Sequence, residues 1–298
     1  MNTDFIKGII PPIITPINED ETVDESALRD HVDFLVEGGV SGILAFGSNS
    51  EFYMIEEEET PLIFKIIIDE VHGRVPVYMG IGAIRTSKCI RLAKLGVSLG
   101  AAGVSVLQPM FIKPSDDELC DHFAAIAESV PDTPVLLYNN PARTGYPVSQ
   151  AVVEKLAHSI PNIAGMKDSG GDMTDTMEFI RRNRDVDFKV LVGKDTLIYP
   201  ALETGAAGAV CTTANFAPSL VCSIYEKFIR GDKKGSLEAQ FKLNPIRLMM
   251  DKSSFPVATK DYARLLGRKA GKPYLPNKCS PASQLENLRK ELEKAGLL

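Results

Sequence analysis

One lysine stands where a lysine is expensive. The run IAGMKDSG (163–170) is apolar on the N-terminal side of Lys167, and burial disfavours the charged form of an amine. Moving its pKa from ~10.4 toward 7 removes roughly 4–5 kcal/mol of preference for the ammonium. A neutral amine is the form that attacks a carbonyl carbon, giving a Schiff base. Two plainer roles stay open: a side chain that snorkels out of the strand end, or one that pairs with Asp168 beside it. Tyr138 ends the preceding apolar run, PVLLYNN (134–140). A phenol there can shuttle a proton to and from a substrate hydroxyl, or simply cap an apolar interior. Ser48 and Asn49 follow Gly47 in GSNSEF (47–52). Backbone N–H groups and short polar side chains in such a turn hold a carboxylate, although the same residue types also make ordinary turns. Anion cradle, hydroxyl relay and amine together point to chemistry on a small 2-oxo acid.

These groups need a scaffold that brings distant segments together. A short apolar run followed by a helical stretch recurs eight times between residues 8 and 230. The runs are 8–17, 42–47, 75–82, 103–109, 134–140, 163–169, 189–195 and 208–216. They are continuous and rich in Val, Ile and Leu, as strands buried on both faces are. The intervening helices show spaced apolar positions, such as Leu28, Val32 and Leu35 in 24–39, with Asp24 as N-cap and Gly38 and Gly39 at the end. Eight such units predict a (β/α)8 TIM barrel. An open doubly wound sheet normally carries a glycine-rich turn after its first strand, where this chain has PPIITP (11–16). The two prolines predict an irregular first strand near a rim. Residues 232–298 break the rhythm and read as a C-terminal helical extension (helices 233–251, 257–269 and 281–295) on a barrel spanning 1–231. In a parallel barrel, functional groups gather at the C-terminal ends of the strands. Gly47 to Glu51, Tyr138 to Asn140, Lys167, Lys194, Asp195 and Thr212 all fall there.

Composition narrows the function classes. The chain has 298 residues, a formal net charge of -6 and 44% hydrophobic residues, which argues against a nucleic-acid binder with its basic face. The five cysteines are scattered and form no CxxC pair, so they read as free thiols, four of them in apolar segments. The four histidines lack ligand spacing, and no metal site is expected. The N-terminus lacks the features of a signal peptide, and no run reaches the ~18 apolar residues of a membrane span. A cytoplasmic location is expected.

The segments GSNSEF (47–52), YNNPARTG (138–145) and GMKDSGGD (165–172), with GIIPPIITP (8–16) and GAAGAVCTTANF (205–216), resemble the dihydrodipicolinate synthase / N-acetylneuraminate lyase family of class I aldolases. The resemblance runs in order along the whole chain. It implies that Lys167 forms a Schiff base with pyruvate, that Tyr138 relays a proton, and that Ser48 and Asn49 bind the pyruvate carboxylate. It also implies a homotetramer built from dimers and no cofactor. Family members typically have glycine where Ser50 stands.

The subfamily divides on particular residues. GSNSEF and GMKDSGGD look most like aldolases of 4-hydroxy-2-oxoglutarate and 2-oxo-3-deoxy sugar acids, and Asp168 follows the lysine where synthases usually have glutamate. Asp195 and Thr212 match positions that contact substrate hydroxyls in the lyase branch, though both also suit capping. YNNPARTG points the other way: Arg143 resembles the arginine that holds the carboxylate of aspartate semialdehyde in true synthases. PMFIKP (109–114) departs from the synthases, placing Met110 and Phe111 where they usually carry two tyrosines, one a relay across the dimer. The expectation is a lyase that reversibly cleaves a 4-hydroxy-2-oxo acid to pyruvate and an aldehyde. Condensation of pyruvate with aspartate semialdehyde is the alternative on the same scaffold, and a dehydratase remains open. A barrel that binds 2-oxo acids without turnover is the alternative of another class, and it needs neither Lys167 nor Tyr138.

Overall fold

The computed structural model describes residues 1–298. Its elements run β1 (Gly8–Ile10), α1 (Glu25–Glu37), β2 (Ile43–Ala45), α2 (Thr60–Val71), β3 (Val77–Ile81), α3 (Thr86–Ser98), β4 (Gly103–Leu107), α4 (Asp116–Glu128), β5 (Val135–Asn139), α5 (Pro141–Thr144), α6 (Gln150–Ser159), β6 (Ile163–Asp168), α7 (Met173–Arg182), β7 (Lys189–Val192), α8 (Ile198–Glu203), β8 (Gly208–Val210), α9 (Pro218–Ile229), α10 (Lys233–Met250), α11 (Val257–Leu265) and α12 (Ala282–Lys294). The strands are parallel and pair in the order β1-β8-β7-β6-β5-β4-β3-β2. This is the predicted (β/α)8 barrel, followed by C-terminal helices.

The seam between β1 and β2 is irregular for a chemical reason. Pro11 and Pro12 have no N–H to donate. Closure therefore uses the Pro11 carbonyl and the N–H of Ile13: Leu44 N donates to the Pro11 carbonyl at 2.9 Å, and Ile13 N donates to the Leu44 carbonyl at 3.0 Å. The first strand is three residues long rather than the full apolar run 8–17, because the prolines interrupt the ladder. Other strands also stop earlier than their apolar runs. Residues just beyond β2, β7 and β8 turn into 3₁₀ segments at Ser48–Ser50, Phe52–Met54, Asp195–Leu197 and Thr213–Asn215. Those turns carry polar groups to the barrel mouth.

The helices follow their signals closely. Asp24 caps α1, its carboxylate accepting from Ala27 N at 3.0 Å, and Ser115 with Glu118 forms a capping box on α4. The barrel interior is filled by Ile10, Leu44, Tyr78, Leu136, Leu191 and Val210, with Ile6 of the N-terminal segment in the same cluster. Outward-facing strand residues pack on the helices. Helices α10 to α12 gather a separate apolar cluster in which Ile246, Tyr262, Leu288 and Leu292 meet Ile14 and Phe216 from the β1 and β8 rims. The rings of Phe216 and Tyr262 stack at 4.6 Å. Cys89, Cys120, Cys211 and Cys222 are buried free thiols, and Cys279 is exposed. No helix is long and apolar enough to cross a membrane.

Gly165 shows how tightly β6 is held. A Cβ there would stand 2.3 Å from the carbonyl oxygen of Lys189 on β7 and 3.1 Å from the Leu136 side chain. Relief requires the β6–β7 ladder to part, two residues before Lys167. Gly165→Ala is expected to lose ~1–3 kcal/mol of stability, the usual cost of overpacking. Thermal unfolding checks this, and an unchanged Tm contradicts it.

Candidate active site

Strand alternation decides which polar residues face the cavity. Tyr138 and Lys167 are in register on adjacent strands and both are buried. The Lys167 Nζ lies 4.1 Å from the centroid of the Tyr138 ring. Their successors, Asn139 and Asp168, point to the other face, as successive strand residues must. There Asn139 Nδ2 donates to Asp168 Oδ1 at 2.8 Å, Gly170 N donates to the same oxygen at 3.0 Å, and Thr176 Oγ1 donates to Oδ2 at 2.6 Å. Asp168 is thus the anchor of the β5–β6–α7 junction and not a partner of Lys167. The snorkelling alternative fails too, since Lys167 is 4% exposed.

The phenol of Tyr138 is tuned by its surroundings. Asn140 Nδ2 donates to its oxygen at 2.8 Å, and the Ser48 hydroxyl lies 3.5 Å away. Burial pushes the phenol up, but the Lys167 charge and hydrogen bonds with Ser48, Asn140 and Lys167 outweigh it. The net shift is below the ordinary tyrosine value. A phenol so placed gives up and regains a proton more readily than a free tyrosine.

A cavity of about 300 Å3 opens over these groups. Ser48, Asn49, Tyr138, Arg143, Lys167 and Thr212 all line it, so six of the eight residues singled out in the sequence converge. Gly47 and Asp195 do not line it. Gly47 lies behind the turn, where a Cβ would meet that of Pro12 at 2.8 Å. Asp195 is buried beneath the mouth, its carboxylate accepting from Thr213 N and Thr213 Oγ1, both at 2.7 Å, and from Thr212 N at 3.3 Å. It shapes the turn after β8, the capping role. The lining contains one carboxylate, Asp251, which is paired with Arg247 at 2.7 Å.

Comparison with known proteins gives this geometry a family. The model of the dihydrodipicolinate synthetase family matches residues 5–295. The chain belongs to that family. It is a lyase of the class I, pyruvate-dependent aldolase kind. Among curated relatives, the 4-hydroxy-tetrahydrodipicolinate synthase of Methanopyrus kandleri is 35% identical over 294 residues, covering 98% of this chain and 97% of the relative. The enzyme of the same name from Thermus thermophilus is 34% identical over 298 residues, covering 99% and 98%. Among solved structures, YagE of Escherichia coli K12, a prophage protein of the dihydrodipicolinic acid synthase family determined in complex with pyruvate, superposes with a TM-score of 0.94. It is 30% identical and covers 98% of this chain and 99% of its own.

Several site features of this family member were not legible in its sequence. Arg247, Ser253, Ser254 and Phe255 reach the cavity from α10 and the following loop, and no local motif marks them. Arg143 sits on the one-turn helix α5, exposed, with its guanidinium stacked 4.1 Å over the Phe255 ring. It answers an aromatic face and not a neighbouring acid. Gln108 pins that loop: its Nε2 donates to Thr144 Oγ1 and the Tyr146 carbonyl, both at 2.9 Å, and its Oε1 accepts from Asn140 N at 3.2 Å. Ser50 needs no left-handed backbone. Its hydroxyl donates to the Gly47 carbonyl at 2.7 Å, and the positive φ falls on Glu51. Met110 and Phe111 do not line the cavity of this chain, and Phe111 is 95% exposed.

The Tyr138 shift carries a direct test. In Lys167→Met the cation is gone and burial dominates, so the phenol is expected to titrate at higher pH than in the parent. Selective 13Cζ-tyrosine NMR, with Tyr138→Phe to assign the signal, reads this out. A phenol whose titration stays put or falls shows that Lys167 does not set it.

Proposed function

We propose that Lys167 forms an iminium with pyruvate, that Ser48 and Asn49 hold the pyruvate carboxylate, and that Tyr138 moves the proton between enzyme and substrate oxygen. The observation that carries this reading is the register of Tyr138 against Lys167, with the amine 4.1 Å from the ring and the phenol shifted downward. The residues act in sequence. Lys167 attacks the 2-oxo carbon as the free amine. The expelled hydroxyl takes a proton from the Tyr138 phenol and leaves as water. The protonated imine then withdraws electrons from the neighbouring methyl group, and the Tyr138 phenolate takes a proton from that carbon, so an enamine forms without a metal ion as electron sink and the phenol is restored. That carbon attacks the aldehyde partner, Tyr138 returns a proton to the new alkoxide, and water hydrolyses the iminium to release the product and the free Lys167 amine. Read backwards, the same steps cleave a 4-hydroxy-2-oxo acid.

The nature of the aldehyde is the finer question. Relatives of about a third identity named 4-hydroxy-tetrahydrodipicolinate synthase span nearly the whole chain, which favours condensation with aspartate semialdehyde over the aldol cleavage that the sequence motifs put first. Arg143 fits that reading, because a guanidinium can bind a second carboxylate through two parallel hydrogen bonds. The cleavage reading keeps one specific support: Met110 and Phe111 carry no hydroxyl to extend a proton relay.

One assay separates the two. Purified enzyme is given pyruvate with aspartate semialdehyde, and in parallel 4-hydroxy-2-oxoglutarate and neutral-ended 2-oxo-3-deoxy sugar acids. Condensation with kcat/KM well above any cleavage is the expected result, and dominant pyruvate release from a sugar acid reverses the assignment. Arg143→Ala is expected to lower kcat/KM for carboxylate-ended substrates by ~10- to 100-fold, the ~1.5–3 kcal/mol of a hydrogen bond to a charged group. Equal losses on neutral-ended substrates remove Arg143 from recognition.

A further inference from the structure

The turn that carries Ser48 and Asn49 does not hold itself. Glu51, at its end, has φ 58 and ψ 37, a left-handed conformation that a residue with a Cβ adopts only when its surroundings demand it. The demand comes from the C-terminal extension. The Glu51 carboxylate is fully buried and pairs with Lys260 Nζ of α11 at 2.7 Å, both side chains at most 1% exposed. Its other oxygen accepts from Tyr274 N at 3.0 Å. Lys260 also donates to the Lys272 carbonyl at 2.8 Å. One residue earlier on α11, Thr259 Oγ1 donates to Asn49 Oδ1 at 2.9 Å. Asn49 Nδ2 in turn donates to Thr212 Oγ1 at 2.9 Å. The Asn49 amide is therefore clamped between the β8 rim and α11.

Stability alone does not explain a buried ion pair here. Desolvating two charges cancels much of their attraction, and apolar replacements of such pairs are often neutral or stabilising. What the pair supplies is location: it fixes a left-handed residue two positions after Asn49 against one point on α11. We propose that Lys260 is a positioning residue, which through Glu51 holds the Ser48–Asn49 turn in the shape that receives the substrate carboxylate. The proposal rests on the reading of that turn as the pyruvate carboxylate cradle. It makes the cradle a joint product of the barrel and α11.

The test separates positioning from folding and from the underlying reading. Lys260→Met alone strands the Glu51 charge and is expected to lower Tm, so the decisive protein is the double variant Glu51→Gln with Lys260→Met, which buries no net or paired charge. The parent and the double variant are titrated with pyruvate, and borohydride-reduced adduct is quantified by intact mass. The double variant is expected to stay folded with a Tm close to the parent, while the pyruvate concentration for half-maximal adduct rises at least about tenfold and the maximal adduct stays near one per chain, the pattern of lost ground-state binding. Half-saturation within about twofold of the parent in the folded double variant overturns the proposal, because a merely structural pair moves Tm and not this midpoint. A double variant that does not fold, even at low temperature with pyruvate present, also overturns it, since the pair is then structural. Absence of adduct on the parent removes the pyruvate reading itself, and the proposal with it.

Discussion

An amine inside a closed wall of apolar strands has few stable arrangements, and the barrel mouth is organised around one of them. Lys167 enters the interior from β6, while the carboxylate next to it in sequence is turned to the opposite face and saturated by Asn139, Gly170 and Thr176. What the amine meets instead is the face of Tyr138. An aromatic face attracts a cation by ~0.5–2 kcal/mol, without the ion pair that a carboxylate would form. The same proximity acts on the phenol, favouring its ionised form against burial. The phenol is thus tuned by its contact with the amine, and that contact exists because β5 and β6 pair with Tyr138 opposite Lys167.

The remaining machinery comes from three sources. The loop after β5 brings Asn140 to the phenol and Arg143 to the rim, and buried Gln108 fixes its path. The turn after β8 is fixed by Asp195 from below, which presents Thr212 to the cavity. The C-terminal helices complete the wall with Arg247 and Phe255 and hold the turn after β2 through Thr259 and Lys260. A left-handed residue such as Glu51 costs roughly 1–2 kcal/mol, comparable to the hydrogen bonds that anchor it. The barrel supplies the reactive groups, and the extension supplies much of their surroundings.

The sequence carried the fold because the repeating unit is local: an apolar run long enough for a strand buried on both faces, then an amphipathic helix with its caps. It also carried Lys167, since a lysine in such a run violates the pattern that surrounds it. Strand ends were less legible. Apolar residues continue into the rim turns at Phe46 and Cys211, where hydrophobicity alone does not show that the ladder has stopped. Asp195 and Thr212 read alike in the sequence, yet Thr212 lines the cavity while Asp195 lies beneath it. The difference depends on the 3₁₀ turns, which have no periodic signal. Lys260 left no signal either: it sits in an ordinary charged helix, and its partner lies 209 residues earlier, brought near only by packing.

The central claim is that one buried lysine forms the covalent bond to pyruvate. The most direct measurement is borohydride reduction in the presence of pyruvate, followed by peptide mass mapping of the adduct. The account predicts a single pyruvate-derived modification per chain on Lys167, absent from Lys167→Met. Modification at Lys194 or another lysine, or none under conditions where the enzyme turns over, would contradict it.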